Sequence, residues 1–93
     1  MNPLTAALPT ALAQLLRGAP LSPGKVEFAW GAAVGPALQR ASSIRLEKSV
    51  LIVDATTAQW GREIARSAGV ILPRLQLLLG EHAVTNIEVR HHA

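Results

Sequence analysis

The spacing of apolar residues changes near the middle of the chain, and this change restricts the folds that are open to it. From Val26 to Ala37 apolar residues recur at intervals of three and four, which is typical of one face of a helix. Ile44 and Leu46 then alternate with polar residues, and the continuous apolar run 50–53 follows. Alternation predicts a strand with one wet face, whereas a continuous run predicts a strand that is flanked or covered on both sides.

Local signals set the bounds of these segments. Lys48 and Ser49, which separate the two predicted strands, indicate a tight turn and therefore a β-hairpin. Proline in a first turn, small polar residues before a helix and glycine after it mark helix ends. On these signals the three predicted helices run from Thr5 or Pro9 to Arg17, from Ser22 and Pro23 to Gly35, and from Thr56 or Thr57 to Gly80.

The third predicted helix carries a proline in its interior. Pro73 would displace the carbonyl of Gly69, because a proline clashes with the residue four positions before it. The sequence therefore predicts a kink or a break between Gly69 and Pro73, although the apolar phase continues across it.

The last segment predicts a third strand, because Thr85, Ile87 and Val89 alternate with polar residues. The order helix, helix, strand, strand, helix, strand predicts a single α+β domain over residues 1–93, in which helices cover one face of a three-stranded sheet. Residues 1–20 would form the N-terminal helix and a linker. A right-handed crossover that sets the third strand beside the second is the default, and pairing beside the first strand is also open.

The sequence gives little support to enzyme chemistry, so we expect no enzyme, no cofactor and no bound metal. The carboxylates are scattered, and no phosphate-binding loop, nucleophile elbow or metal-binding helix is present. Asp54 is expected to end its strand and to help cap the next helix. His91 and His92 are adjacent, and adjacent side chains on a strand point in opposite directions, which makes a poor metal site.

The absence of cysteine excludes disulfides and thiolate sites, and it fits a reducing, intracellular setting. The longest uncharged stretch, residues 1–16, is interrupted by polar residues and prolines. We therefore expect neither a signal peptide nor a membrane span, and a cytoplasmic protein.

Trp30 and Trp60 supply two of the three aromatic residues of the chain. Both fall on the apolar stripes of their predicted helices, so we expect both indoles to pack in the core. This expectation leaves no platform on which unpaired bases could stack.

The formal charge of +3 makes nucleic acid or another acidic surface a plausible partner. Arg40, Arg45 and Lys48 follow the second helix and the first strand, whereas Arg62 and Arg66 lie on the exposed side of the third helix. If the hairpin and that helix share an edge, these five cations could follow a phosphate backbone without base contacts. The alternative is an ordinary solvated charged face, since glutamates are interspersed.

Several of these residues together resemble the bacterial DciA family over about residues 22–90. The positions that carry the resemblance are Trp30, Val34, Gly35, Leu38, Ser42 or Ser43, Leu46, the strand Leu51–Val53, Trp60, Ile64, Leu72 and Leu75. The resemblance implies a KH-like domain that binds DNA, associates with the replicative DNA helicase and helps to load it when replication starts. It implies no nucleotide hydrolysis, and it suggests association with the nucleoid.

The sequence departs from the family pattern in three places. Lys48 and Ser49 stand where a hairpin glycine is often found, which leaves the turn type open. A long polar arm that many members carry is not present, so helicase contact is expected from the folded surface or to be weaker. The Gly-x-x-Gly loop of KH domains is also missing, so the KH mode of single-strand recognition does not carry over.

Two other functions remain open. The chain could be a KH-like RNA-binding module without a helicase partner. It could instead be a protein interaction domain, with Phe28 or Leu77 marking the contact surface, because both fall off the apolar stripes of their helices. Phe28 is expected either to touch the first helix or to be exposed.

Overall fold

The computed structural model describes residues 20–91, which form an α+β fold. The helices and strands are α1 (Pro23–Val34), α2 (Pro36–Arg40), β1 (Ser42–Glu47), β2 (Val50–Ala55), α3 (Ala58–Leu79) and β3 (Asn86–His91). The predicted fold class and order of elements are confirmed. The predicted N-terminal helix, from Thr5 or Pro9 to Arg17, lies outside the described residues. Within residues 20–91, a short separate helix, α2, follows Gly35, where the sequence predicted only the end of the second helix.

Serine and threonine side chains cap the two long helices. The Ser22 hydroxyl accepts a hydrogen bond from the backbone N–H of Lys25 at 3.1 Å. At the start of α3 the Thr57 hydroxyl accepts one from the backbone N–H of Trp60, also at 3.1 Å. Each cap satisfies a donor that the first turn of a helix leaves without an internal partner.

Gly35 separates α1 from α2. Its φ of +88° lies in the region that favours glycine, and its N–H donates to the carbonyl of Gly31. The chain then turns, and Ala37, which the helical spacing had assigned to the buried face, is exposed. At Gly31 a Cβ would lie 2.6 Å from the side-chain nitrogen of Gln39, which is the end of an exposed and flexible side chain.

The sheet has the order β1-β2-β3. β1 and β2 form the predicted antiparallel hairpin, and both turn residues, Lys48 and Ser49, have positive φ values, of 48° and 68°. Positive φ at both central residues is the geometry of the type I′ turn, which matches the twist of a hairpin. β3 pairs with β2 in parallel, which confirms the default neighbour for the third strand. The apolar strand β2 is therefore flanked on both sides, as predicted.

The helices pack on one face of this sheet. α1 and α2 lie against β1, whereas α3 lies against β2, β3 and α1. The sheet contributes Leu51, Val53 and Ala55 to the core. The largest side chains enclosed between sheet and helices are Trp30, Leu51, Ile64, Leu75, Leu78, Val53 and Val84.

Of the kink or break predicted between Gly69 and Pro73, the break does not occur. The helix runs from Ala58 to Leu79 with Pro73 in its interior. Pro73 and Gly69 are both exposed, so water can reach the carbonyl that the proline leaves without its N–H partner. On the opposite side Ile71 and Leu75 are buried, and their packing holds the helix on the sheet across the proline. Within residues 20–91, no helix combines the length and the apolar character needed to cross a membrane.

Trp30 is a core residue, as predicted, and it is 1% exposed. Its indole Nε1 donates a hydrogen bond to the hydroxyl of Ser42 at 3.0 Å. Ser42 in turn donates to the carbonyl of Leu38 at 2.6 Å. Three residues that carry the family resemblance therefore form one chain of hydrogen bonds, which joins α1, α2 and β1.

Candidate functional site

Arg62 and Arg66 lie on the outer side of α3, as the sequence predicted, and both are exposed. They are four residues apart, which places them one turn apart on the same side of the helix. Arg66 forms an ion pair with Glu63 at 3.3 Å, and the Arg66 side chain stays 75% exposed. An exposed pair of this kind is weak, so Arg66 can exchange its partner for a phosphate.

Arg40 lies close to the start of α3. It is the last residue of α2, and the carbonyl of the next residue, Ala41, accepts a hydrogen bond from the N–H of Thr56 at 2.9 Å. Arg40 is exposed, and it follows Ala37 by one turn. Because Ala37 and the first turns of α3 line a common groove, Arg40 belongs to the same end of the molecule as Arg62.

Arg45 is held in ion pairs on the other face of the sheet. Its guanidinium donates hydrogen bonds to Glu47 and, at 3.1 Å, to Asp54. The hydrogen bond to Glu47 is the main cause that raises the pKa of Arg45 above its ordinary value, with the charges of both carboxylates adding to it. Asp54 thus lies one residue before the end of β2 and binds Arg45, and the N-cap of α3 is Thr57.

The open face of the sheet has no excess of positive charge. By the strand register, Arg45 and Arg90 share this face with Glu47, Asp54 and Glu88. Arg90 also forms an ion pair with Glu88. Two cations beside three anions give a face that would not attract a polyanion.

Lys48 lies at the hairpin turn, at the far end of β1 from Arg40. β1 has six residues, so about 17 Å of strand separates the two ends. The hairpin turn is close to the other end of α3, since Ser49 donates a hydrogen bond to the carbonyl of His82 at 3.0 Å. The hairpin and the Arg62 side of α3 thus do not share an edge. Arg40 and Arg62 lie toward the same end of the molecule, Arg66 lies one turn further along α3, and Arg45 and Lys48 lie apart from all three.

Trp60 is half-buried, so the prediction that both indoles are enclosed is correct only for Trp30. Trp60 packs against the edge of the core and lines an open groove of about 400 Å³ between α2 and the first turns of α3. The groove is lined by Val34, Ala37, Leu38, Gln59, Trp60 and Glu63. The indole stays partly uncovered because Trp60 lies in the first turn of its helix, and its neighbour α2 is short and buries none of its residues.

Sequence reasoning missed Trp60 as a surface residue because its apolar spacing was the same as that of core residues. The available signal was that Trp60 is the first residue of the apolar stripe of α3. At the start of a helix, fewer neighbouring elements can cover a side chain. That signal could not decide the matter, because the neighbour in question is α2, whose separate existence was not predicted.

Other exposed apolar residues lie away from this groove. Phe28 on α1 is 49% exposed, which was one of the two environments expected for it. On α3, Val70 and Leu77 are 58% and 51% exposed, and they lie seven residues apart, which is two helical turns. A second groove, of about 350 Å³, lies between α1 and β1 and is lined in part by Leu21, Val26 and Ile44.

The histidines do not gather into a site in the part of the chain that the structure describes. His91 is the last residue of β3, and His82 is exposed beyond the end of α3, while His92 lies outside the described residues. Between residues 20 and 91, no three histidine or carboxylate side chains lie close enough together to hold a metal ion.

Comparison with known proteins gives one family. The family model described as "Dna[CI] antecedent, DciA" matches residues 3–89. No curated protein matches the chain significantly.

Proposed function

Because the chain belongs to the DciA family, which is linked to helicase loading in DNA replication, we propose that it is a non-enzymatic adaptor that binds DNA and helps to load the replicative helicase. The observation that carries this proposal is the family match, which covers nearly the whole chain. Such an adaptor would bind single-stranded or duplex DNA without regard to sequence, and it would work in the cytoplasm at the nucleoid.

The DNA contact would use Arg40, Arg45, Lys48, Arg62 and Arg66. Arg40, Arg62 and Arg66 would supply most of it, because these three side chains are exposed and lie on α2 and the first half of α3. Arg45 would add less, since two carboxylates already occupy its guanidinium. Lys48 would touch only a nucleic acid long enough to reach the hairpin turn.

The helicase contact would use the exposed apolar residues Val70 and Leu77. At 100° per residue, Arg62, Arg66, Val70 and Leu77 fall within about 80° of one another around α3. The DNA contact and the helicase contact would thus follow each other along one side of a single helix. An adaptor that brings the two partners together needs such an arrangement.

The test combines two binding measurements on the full chain. Fluorescence anisotropy with labelled single-stranded DNA, duplex DNA and RNA over a salt series should show DNA binding that weakens as salt rises. Capture of the purified hexameric replicative helicase of the same bacterium should succeed at micromolar concentration. Leu77→Ser should reduce helicase capture and leave DNA affinity unchanged, whereas Phe28→Ser, which removes an equally exposed apolar group from α1, should reduce neither.

The two other functions predict different results. A preference for RNA with no helicase capture would favour an RNA-binding module and overturn the proposal. Helicase capture without affinity for any nucleic acid would leave a protein interaction domain. Equal loss of helicase capture in the Phe28 and Leu77 variants would contradict the location that we assign to the contact.

A further inference from the structure

The groove beside Trp60 has the features of a small binding site. Its volume of about 400 Å³ falls within the range of sites for small molecules, about 300–1,000 Å³. Val34, Ala37 and Leu38 give it an apolar wall, and the half-buried indole of Trp60 lies along it. Trp60 therefore supplies an aromatic group to the groove while its packing against the core holds it in place.

The charges around the groove favour one kind of ligand. Arg62 follows Gln59 by three residues and Arg66 follows Glu63 by three, so each arginine lies one turn beyond a residue that lines the groove. Arg40 lies one turn beyond Ala37 on the opposite wall. Cations therefore border the groove, where they could bind the phosphates of a polyanion.

Inside the groove the charge is of the opposite sign. Glu63 lines it, with its carboxylate paired with Arg66, and this anion disfavours a phosphate inside the groove more than it disfavours a neutral group. The side chains of Gln59 and Glu63, which line the groove, also offer hydrogen-bond acceptors. This pattern fits a ligand with a flat, neutral group in the groove and a negatively charged group on each side of it. A nucleotide within a single strand has this form, with its base between two phosphates.

We propose that Trp60 is a stacking platform for one unpaired nucleobase, with Arg62, Arg66 and Arg40 holding the phosphates on either side of it. The inference rests on the proposed DNA binding and adds that the strand must be single at this point. In a duplex each base is already stacked and paired, so its face cannot reach the indole. The domain would therefore prefer single-stranded nucleic acid, or a single-stranded stretch at a junction, over duplex.

The experiment compares two labelled oligonucleotides of equal length, oligo-dT and an oligomer of abasic residues with the same phosphates. Fluorescence anisotropy at fixed salt should give wild-type protein an affinity for oligo-dT that is roughly 5- to 100-fold higher, as expected for stacking on one aromatic side chain. Trp60→Leu keeps an apolar side chain at the core but removes the aromatic surface, and it should bind the two oligomers equally. Trp60→Phe should keep part of the preference.

Phe28→Leu is the matched control, because it removes an exposed aromatic ring that does not line the groove. It should bind both oligomers as the wild type does. Circular dichroism and thermal unfolding establish that each variant is folded. Tryptophan emission of the wild type gives a second readout that needs no variant: Trp30 is 1% exposed and shielded from contact, so oligo-dT should quench Trp60 while the abasic oligomer does not.

The outcomes separate this inference from the proposed function. If the wild type binds neither oligomer but binds duplex DNA, the stacking site is refuted and the proposed DNA binding stands; if it binds none of the three, DNA binding itself is refuted. If it binds both equally, and its emission is unchanged by oligo-dT, DNA binding stands and the stacking site is refuted. If Trp60→Leu keeps its preference for oligo-dT but no longer captures the helicase, the groove holds a protein side chain, which also overturns the inference.

Discussion

At the scale of single residues, the hydroxyl group of Ser42 links α1, α2 and β1 through two hydrogen bonds. Ser42 accepts the hydrogen bond of the buried Trp30 indole and donates one to the carbonyl of Leu38. We expect Ser42→Ala to lower the free energy of unfolding by about 1–3 kcal/mol, because the indole N–H would then be buried without a partner. Urea denaturation followed by circular dichroism measures this loss.

Ser43→Ala is the natural control for this change. Ser43 is the next residue of the same strand, and it lies exposed on the opposite face of the sheet. Its replacement should change the stability by less than about 0.5 kcal/mol. Equal losses at the two positions would show that strand preference, and not the hydrogen bond to Trp30, sets the effect.

At the scale of elements, packing on the core keeps α3 continuous although the helix contains a proline, which is unfavourable in a helix interior. Ile71 and Leu75, which precede and follow Pro73 on the core side of the helix, are both buried, although the proline removes one hydrogen bond of the helix. We expect Pro73→Ala to raise the free energy of unfolding by about 1–3 kcal/mol, because it restores the hydrogen bond to the carbonyl of Gly69. A shift of the urea midpoint to higher concentration measures the gain.

Gly69→Ala provides a comparison within the same turn. A Cβ at this position meets no atom within 4 Å, and alanine is the better helix former by about 0.5–1 kcal/mol. Both variants should therefore gain stability, with the larger gain at Pro73. A loss of stability in Pro73→Ala alone would mean that the packing of α3 requires a bend that only the proline allows.

At the scale of the whole molecule, the distribution of charge decides how salt affects DNA binding. The exposed arginines of α3 lie apart from the ion pairs on the open face of the sheet. We expect Arg62→Gln with Arg66→Gln to lower the slope of log affinity against log salt by about 1–2 on duplex DNA, because each lost phosphate contact removes about 0.9. Anisotropy titrations over a range of NaCl concentrations measure the slope.

Arg45→Gln and Arg90→Gln are the controls, since both arginines are paired with carboxylates on the open face. Arg45→Gln should lower the slope less than the α3 double variant does, and Arg90→Gln should leave it unchanged. If Arg90→Gln matched the double variant, DNA would have to lie across the open face of the sheet. The assignment of the contact to α3 would then be wrong.

The parts of the fold that the sequence predicts well depend on residues that are close together in the chain. Ser22 caps α1 through an N–H three residues away, and Lys48 with Ser49 forms its turn between adjacent strands. Alternation along β1 gives the face of each side chain, because the direction of neighbouring side chains on a strand is fixed by the backbone. The positions of Arg62 and Arg66 outside α3 follow in the same way from helical spacing.

What the tertiary structure alone decided depends on contacts between residues that are distant in the chain. The half-burial of Trp60 depends on where α2 lies, and the pairing of Arg45 with Asp54 depends on strand register. The neighbour of β3 and the separation of Lys48 from Arg62 have the same origin. The sequence by itself determined which side chains share a face within each element whose bounds it predicted, because that is a property of the local backbone. Only the packed elements determined which of those residues meet, because that is set by the shape of the core between them.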